Sequence, residues 1–226
     1  MKISTEIASA AKIIGEEKTI EYVAKAGFDA WDFSMFSMCK YDWGTKTIHA
    51  TDHPLSSDNY LSFARKLKQI GLDNGIHCNQ SHAPFPVYCK EIRSYLKRAI
   101  ECTAEAGGKI CVIHPDNFMV ACLDIGHAEM KGSDTTAVEM IEALGHRLAA
   151  LHIHDNDKWH DSHQIPFSMD IDFAPIIKAL KEIGYKGYFT LEADQYLRNY
   201  NAENIFDGIK NLAASAKKLV EIYSEI

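Results

Sequence analysis

Positive charge is scarce in this chain: 24 lysines and arginines against 31 aspartates and glutamates leave a net charge of −7 over 226 residues. An acidic balance of this kind lacks the basic footprint of a general nucleic-acid binder, so nucleic acid is disfavoured as a partner. Apolar runs of the ~18 residues needed to cross a bilayer are missing too, so membrane insertion is not expected. The six cysteines (Cys39, Cys78, Cys89, Cys102, Cys111, Cys122) form no C-x-x-C pair. Several sit inside apolar runs, which suits reduced, buried thiols in a cytoplasmic protein. Met1 leads almost directly into the first strand-like run, so no cleaved leader is expected. Low-complexity segments and linkers are absent.

What the chain does have is a 46% apolar composition, enough to bury one large core, and residues 1–226 read as a single domain. Strand-like and helix-like patterns alternate nearly throughout, the signature of a parallel sheet with crossover helices. Strands are expected at 2–7, 28–33 and 75–79, then beginning near 110, 119, 149 and 187. Helices are expected at 16–26, 58–74, 90–106, 135–144, 173–183 and 202–223, with Gly27, Gly71, Gly107 and Gly184 at or near helix ends. The last helix repeats apolar residues at Ile205, Ile209, Leu212, Ala216, Leu219 and Ile222, the spacing of a helix lying on a core.

Four of the apolar runs end in residues that bind divalent metals: Ile110-Cys111-Val112-Ile113-His114, the run to Asp124-Ile125-Gly126-His127, Leu151-His152-Ile153-His154-Asp155, and Tyr188-Phe189-Thr190-Leu191-Glu192. Short apolar runs read as buried parallel strands, and the C-terminal ends of such strands are where a (β/α) barrel carries its chemistry. One histidine at a strand end is ordinarily structural. Four ends with oxygen or nitrogen ligands imply one metal-centred pocket. The fold expected is α/β, a TIM-type barrel of parallel strands with outer helices. Its strand count strains, because only Pro115-Asp116-Asn117-Phe118 separates the fourth run from the fifth, whereas parallel neighbours need a crossover of about a dozen residues or more. An antiparallel hairpin there would send Asp124 and His127 to the far end of the barrel. The expectation is therefore about seven strands, with the βα unit after strand four missing.

The pieces Ser81-His82-Ala83-Pro84, Val112-Ile113-His114-Pro115, Leu123-Asp124-Ile125-Gly126-His127, Leu151-His152-Ile153-His154-Asp155-Asn156 and Thr190-Leu191-Glu192 resemble, in order and spacing, the xylose-isomerase-like barrels. That family contains sugar and sugar-phosphate isomerases and epimerases, ketose 3-epimerases, inosose dehydratase and zinc-dependent apurinic endonucleases. The resemblance covers essentially the whole chain. It implies one divalent ion (Mn, Zn, Mg or Co) held by Glu, Asp, His and Glu, of which the last three map onto Asp124, His154 and Glu192. The first Glu has no counterpart, being in the segment this chain lacks. His127 corresponds to a substrate-contacting or second-metal residue; His82 and His114 match histidines of multi-zinc members; Asp161-Ser162-His163 resembles their Asp-x-His pair. Ser168-Met169 stands where the family usually has Gly.

A metal-bound vicinal carbonyl and hydroxyl have an acidified C–H, which a carboxylate can move through an enediolate. The expected function is a metal-dependent sugar or sugar-phosphate isomerase or epimerase, with Glu192 as catalytic carboxylate and metal ligand. His127, His82 and His114 would contact substrate. With the family's first Glu missing, a two-base epimerisation lacks one arm, whereas one-base isomerisation or dehydration is less affected. Two alternatives stand beside it. One is a degenerate, non-catalytic barrel with a ligand- or partner-binding role, its strand edges covered by a homo-oligomer. The other is an apurinic endonuclease-like zinc hydrolase, kept open by the histidine inventory and opposed by the acidic balance. His152 reads equally as packing, Asp161 and His163 as a solvated loop, Trp31 and Trp43 as core or pocket lining, and Glu129 and Lys217-Lys218 as solvated helix faces.

Overall fold

The computed structural model describes residues 1–85, 91–113 and 121–226. Its strands are β1 (Lys2–Glu6), β2 (Ala30–Ser34), β3 (Cys39–Asp42), β4 (Thr47–Ala50), β5 (His77–His82), β6 (Ile110–Val112), β7 (Ala121–Asp124), β8 (Leu148–His152) and β9 (Tyr188–Leu191). Its helices are α1 (Ala8–Ile14), α2 (Glu16–Ala26), α3 (Tyr60–Asp73), α4 (Ile92–Ala106), α5 (Ile125–Ala128), α6 (Ala137–Leu144), α7 (Phe173–Glu182) and α8 (Ile205–Glu225).

Five strands form a parallel sheet in the order β6-β5-β2-β1-β9, and β7 pairs in parallel with β8. A parallel bridge from Ile153 to Leu191 carries β8 onto β9, reinforced by Ile153 N–H donating to the Thr190 carbonyl and Glu192 N–H to the Ile153 carbonyl. The result is a curled, all-parallel TIM-type sheet with helices outside it; β3 and β4 form a separate antiparallel hairpin. Because β7 runs parallel to β8, the hairpin geometry that would have inverted Asp124 does not occur. Among the described residues no ladder joins β6 to β7. The connection through residues 114–120 lies outside them, and with it the expected missing unit and any oligomer covering that seam.

The sequence reading of α2 matches residue for residue, and Gly27 ends that helix in the left-handed conformation that glycine adopts without strain. Other elements shift or were passed over. The third strand begins at His77 rather than at Gly75, because Gly75 has φ 78° and Ile76 N–H still donates to the Gly71 carbonyl of the helix C-terminus. It then runs on through Asn79-Gln80-Ser81-His82, polar residues that an apolar criterion discounts. Helix α1 and the β3–β4 hairpin are short and were not anticipated.

Period two explains the interior. Trp31, Phe33, Phe189 and Leu191 are fully buried among the apolar residues that pack under the helices, as are Ile209, Leu212, Ala216 and Leu219 of α8. The alternate positions Ser4, Glu6, Asp32, Ser34, Gln80, His82, His152 and Thr190 are also buried but polar. They bond with one another across strands: Ser4 Oγ to Thr190 Oγ1 at 2.8 Å, Ser34 Oγ to Glu6 at 3.2 Å, Gln80 Nε2 to Asp32 at 2.9 Å. The strands thus keep an apolar outer face and a polar inner face. No described helix is long and apolar enough to cross a membrane. All five described cysteines are free thiols.

Candidate metal centre

Glu192 directly follows β9, where the barrel interior meets its C-terminal rim. Its carboxylate lies between two imidazoles, with His152 Nδ1 at 3.2 Å and His82 Nε2 at 3.4 Å. The two rings stack, with centroids 4.2 Å apart. Behind them Asp32 is fully buried on β2: its carboxylate lies 3.1 Å from His82 Nδ1 and 4.0 Å from His152 Nε2. Gln80 Nε2 lies 3.2 Å from His152 Nε2. Burial alone would lower the His82 pKa, but the charge and hydrogen bond of Asp32, aided by Glu192, push it up to about 9. Asp32 is held below its ordinary range by His82 and His152 against the opposing effect of burial. Glu192 moves the other way: burial raises it well above a normal glutamate, offset in part by His82 and reinforced by Asp124, Glu6 and Asp32.

Asp124 closes β7 and caps α5, its Oδ1 accepting the His127 N–H at 3.0 Å. Its carboxylate also lies 3.1 Å from His154 Nε2 and 3.1 Å from His127 Nδ1. These two imidazoles hold it well below the ordinary aspartate range although burial opposes them. The turn works only with glycine at its second helical position, because a Cβ at Gly126 would collide with the His154 ring. Asn156 pins the same turn by donating to the Gly126 carbonyl at 2.9 Å.

A second set lies further out. His154 stacks on His163, with centroids 3.8 Å apart and planes within 9°. Asp161 lies 3.0 Å from His127 Nε2 and 3.1 Å from His163 Nε2. His163 Nδ1 donates to the Glu192 carbonyl at 2.8 Å. Its pKa is lowered by burial and then by the neighbouring His154; that of His127 is raised to about 9, chiefly by its hydrogen bond with Asp124. The loop that follows is fixed by Asp155, whose buried carboxylate accepts the N–H groups of Asn156, Ser168, Met169 and Ile171. Asp155 is thereby satisfied structurally, and it accommodates Ser168-Met169 where a glycine was anticipated.

The candidates therefore divide. Asp124 and Glu192 share a donor set with His152, their ligand atoms within 4.8 Å of one another, while His154 groups in the same way with His127, Asp161 and His163. His82 joins Asp32 and His152 in a third set. His114 lies outside the described residues. The His82 and His154 Nε2 atoms are both buried without a hydrogen-bond partner among the described residues. Each nevertheless faces a carboxylate, Glu192 or Asp124. Buried orphan imidazole nitrogens among carboxylates are what a mixed nitrogen and oxygen cation site presents before loading, and the residues fit a divalent ion. A cleft of about 240 Å³ opens beside them, lined by Glu6, Ala8, Ser9, Lys12, Phe36, Asp161, His163, Glu192, Asp194 and Gln195.

Sequence reasoning passed over Glu6 and Asp32 and set His152, Asp161 and His163 aside. The signal for Asp32 was present, a carboxylate inside a strand that is otherwise apolar or small. Trp31 proves to be core and Trp43 stands 67% exposed on the hairpin; neither lines the cleft.

Residues 116–217 match the family model described as the xylose isomerase-like TIM barrel. Among curated proteins the chain is 32% identical over 103 residues to uncharacterized protein MJ1311 of Methanocaldococcus jannaschii, a match covering 46% of this chain and 30% of that protein. The match thus spans less than a third of that relative's length. Over the whole chain the fold is similar to the crystal structure of a D-tagatose 3-epimerase-like protein, with TM-score 0.66, 18% identity and coverage of 100% of this chain and 99% of that one. It is also similar to D-psicose 3-epimerase determined in the presence of D-fructose, with TM-score 0.62, 12% identity and coverage of 97% and 99%. At these identities the structural likeness speaks for the fold.

Proposed function

We propose that this TIM-barrel chain, whose residues 116–217 match the xylose isomerase-like model, is a metal-dependent sugar or sugar-phosphate isomerase or epimerase, with one divalent ion held by Asp124, His152 and Glu192. The observation that carries this reading is the convergence of those three donors from three strand ends, beside orphaned imidazole nitrogens and an open cleft. His152 takes the role that the sequence pattern gave to His154. Its Nδ1 faces Glu192, and its Nε2 is backed by Gln80 and Asp32, the outer support that orients a ligating imidazole. Imidazole beside carboxylate suits Mn, Zn or Co better than Mg.

When bound, such an ion would polarise a substrate carbonyl and acidify the neighbouring C–H. Glu192 is the carboxylate that takes this proton. His82 and His152 flank it and fix its position, and burial favours the protonated form it reaches after abstraction. Phe36, whose ring lies 5.7 Å from that of His82, gives the cleft one apolar wall against which a sugar's C–H face can rest.

The test combines metal content with C–H exchange. Protein incubated with Mn²⁺ and desalted should retain about one ion per chain and should exchange a ketose C–H for deuterium in D₂O. Glu192→Gln should abolish exchange. No retained metal and no exchange across ketohexoses and ketopentoses, free and phosphorylated, would sink the reading and favour a non-catalytic barrel.

The outer set of His127, His154, Asp161 and His163 supports a second reading, a multi-metal hydrolase of the apurinic endonuclease type. The net charge of −7 counts against DNA affinity. Cleavage of an abasic-site oligonucleotide, lost in Asp161→Ala, would favour it.

A further inference from the structure

Glu6 is a buried carboxylate that the mechanism above does not use. It ends β1, and its neighbours in the ladders are carboxylates on either side. It is the register partner of Asp32 on β2, while the residue before it, Thr5, is the partner of Leu191, the residue before Glu192. Glu6 and Glu192 therefore occupy the same level of adjacent parallel strands, project to the same face of the sheet, and line one cleft. Only 5% of Glu6 is exposed. Its Oε2 accepts both the Ala8 N–H at 2.6 Å and the Ser34 hydroxyl at 3.2 Å, so the side chain is fixed. Its Oε1 has no hydrogen-bond partner among the described residues. The charged groups around it are Asp32, His82 and Asp194, with Lys12 and Asp161 on the walls of the cleft.

We propose that Glu6 is a second catalytic carboxylate, the acid and base that serves the substrate oxygens while Glu192 serves the carbons. The inference rests on the isomerase reading and narrows it. With Glu192 the one carboxylate assigned to carbon and Glu6 assigned to oxygen, the proton returns to the face it left, whereas inversion at a carbon needs a second carbon base on the opposite face. The arrangement therefore selects a one-face aldose–ketose isomerisation over an epimerisation.

The proton balance closes. Glu192 takes the proton from C1 of a ketose; the C–H electron pair forms the C1–C2 double bond, and the carbonyl oxygen on C2 takes the proton of Glu6, giving a neutral enediol. Glu6 then removes the proton of the C1 hydroxyl. That electron pair becomes the C1 carbonyl, and C2 takes the proton held by Glu192. Both carboxyl groups end as they began and no co-reactant is consumed. Burial, opposed by the Ala8 hydrogen bond, pushes the Glu6 carboxyl up to about 7, so both its forms are populated near neutrality.

The experiment uses Mn²⁺-loaded protein with ketohexoses and ketopentoses, free and phosphorylated, carrying deuterium at C1. The parent should give an aldose in which part of the deuterium has moved to C2. Glu6→Gln, which preserves shape and the bond to Ala8, should lower kcat about a hundredfold with KM within roughly threefold. It should also raise the ratio of C1 wash-out to turnover, with melting temperature and metal content as in the parent. Glu6→Asp should recover part of the loss. Turnover in Glu6→Gln within about threefold of the parent, or a loss that tracks loss of metal or of fold, overturns the role of Glu6 alone. A parent that yields only a 3-epimer also overturns it and leaves the sugar-isomerase or epimerase reading standing. A parent with neither exchange nor metal overturns both.

Discussion

Two donor sets meet at the rim of this barrel, and they are held in opposite ways. The inner set of Asp32, His82 and His152 is carried on strands, with side chains at most 5% exposed, and each charge is balanced by another that water cannot replace. The outer set leans on the loop residues Asp161 and His163 and on the short helix bearing His127; Asp161 and His127 are about half exposed, at 49% and 48%. Glu192 and Asp124 sit where the sets join. The contrast separates two jobs that a list of histidines and carboxylates runs together. Inner residues are coupled to folding, because removing one strands its partner. The half-exposed members Asp161 and His127 can be altered at little cost in stability, so their loss tests the proposed ligand and metal chemistry, whereas His154, fully buried against Asp124, behaves like the inner residues.

The largest effect should come from breaking the inner set. Asp32→Ala leaves His82 charged and buried without its carboxylate, and breaking a buried pair in this way costs about 3–5 kcal/mol. At roughly 2–4 °C per kcal/mol for a chain of this size, thermal unfolding followed by circular dichroism should shift down by about 10 °C. A drop of a degree or two would mean that the inner network is hydrated and that the two sets do not differ. Next in size is Gly126→Ala, which drives a methyl group into the His154 ring; overpacking of this kind costs about 1–3 kcal/mol. Because the same turn carries Asp124 and His127, Gly126→Ala should also release bound metal, measurable by mass spectrometry of the desalted protein.

The pH dependence sharpens the same division. His82 rises from 6.5 to about 9 on folding, so its contribution to stability is fully present below pH 6.5 and is lost as pH climbs through about 9. Glu6, raised from 4.5 to about 7, works in the same direction, since folding favours its neutral form. Asp32 is depressed below 3.8, so its contribution persists above that value and is lost only on strong acidification. Metal-free protein should therefore unfold at a clearly lower temperature at about pH 9 than at about pH 6. Loading with Mn²⁺ should flatten that slope, because bound ligands have already given up their protons. A metal-free midpoint that rises with pH would contradict the inner ion pair.

How much of this could be read from the chain varied with the kind of signal. Asp124 and Glu192 were legible because each interrupts an apolar run at its end, the place where a parallel strand delivers a side chain to the rim. Helix α2 was legible because its period and its terminal Gly27 agree. Glu6 and Asp32 were not, since Glu6 follows a run that is itself half polar, and Asp32 lies within a strand whose outward residues, Trp31 and Phe33, dominate the pattern. Strand β5 was displaced for the same reason: Asn79, Gln80 and His82 are buried in a polar barrel interior, while Ser81 is buried against Thr103 of α4. The choice between His152 and His154 cannot be made from spacing, as period two puts both on one face. It depends on the bridge from Ile153 to Leu191, which sets His152 against Glu192, and on Gly126, which seats the turn over His154.

The smallest stability effect should belong to the outer set, where the contrast can be tested most severely. Asp161 touches His127 and His163, but its side chain is half exposed, and pairs of that kind contribute about 1 kcal/mol or less. Asp161→Ala should leave the thermal midpoint within a few degrees of the parent and the proposed site of Asp124, His152 and Glu192 able to hold its ion. If the outer residues bind a second cation, the variant should lose about one equivalent of metal while its partner variant His152→Ala loses the other. If they only shape the cleft, metal content should stay the same and only the KM for a sugar should rise. A fall in stability as large as that of Asp32→Ala would instead show Asp161 to be as deeply coupled to folding as the strand-borne carboxylate, and the division between the two sets would collapse.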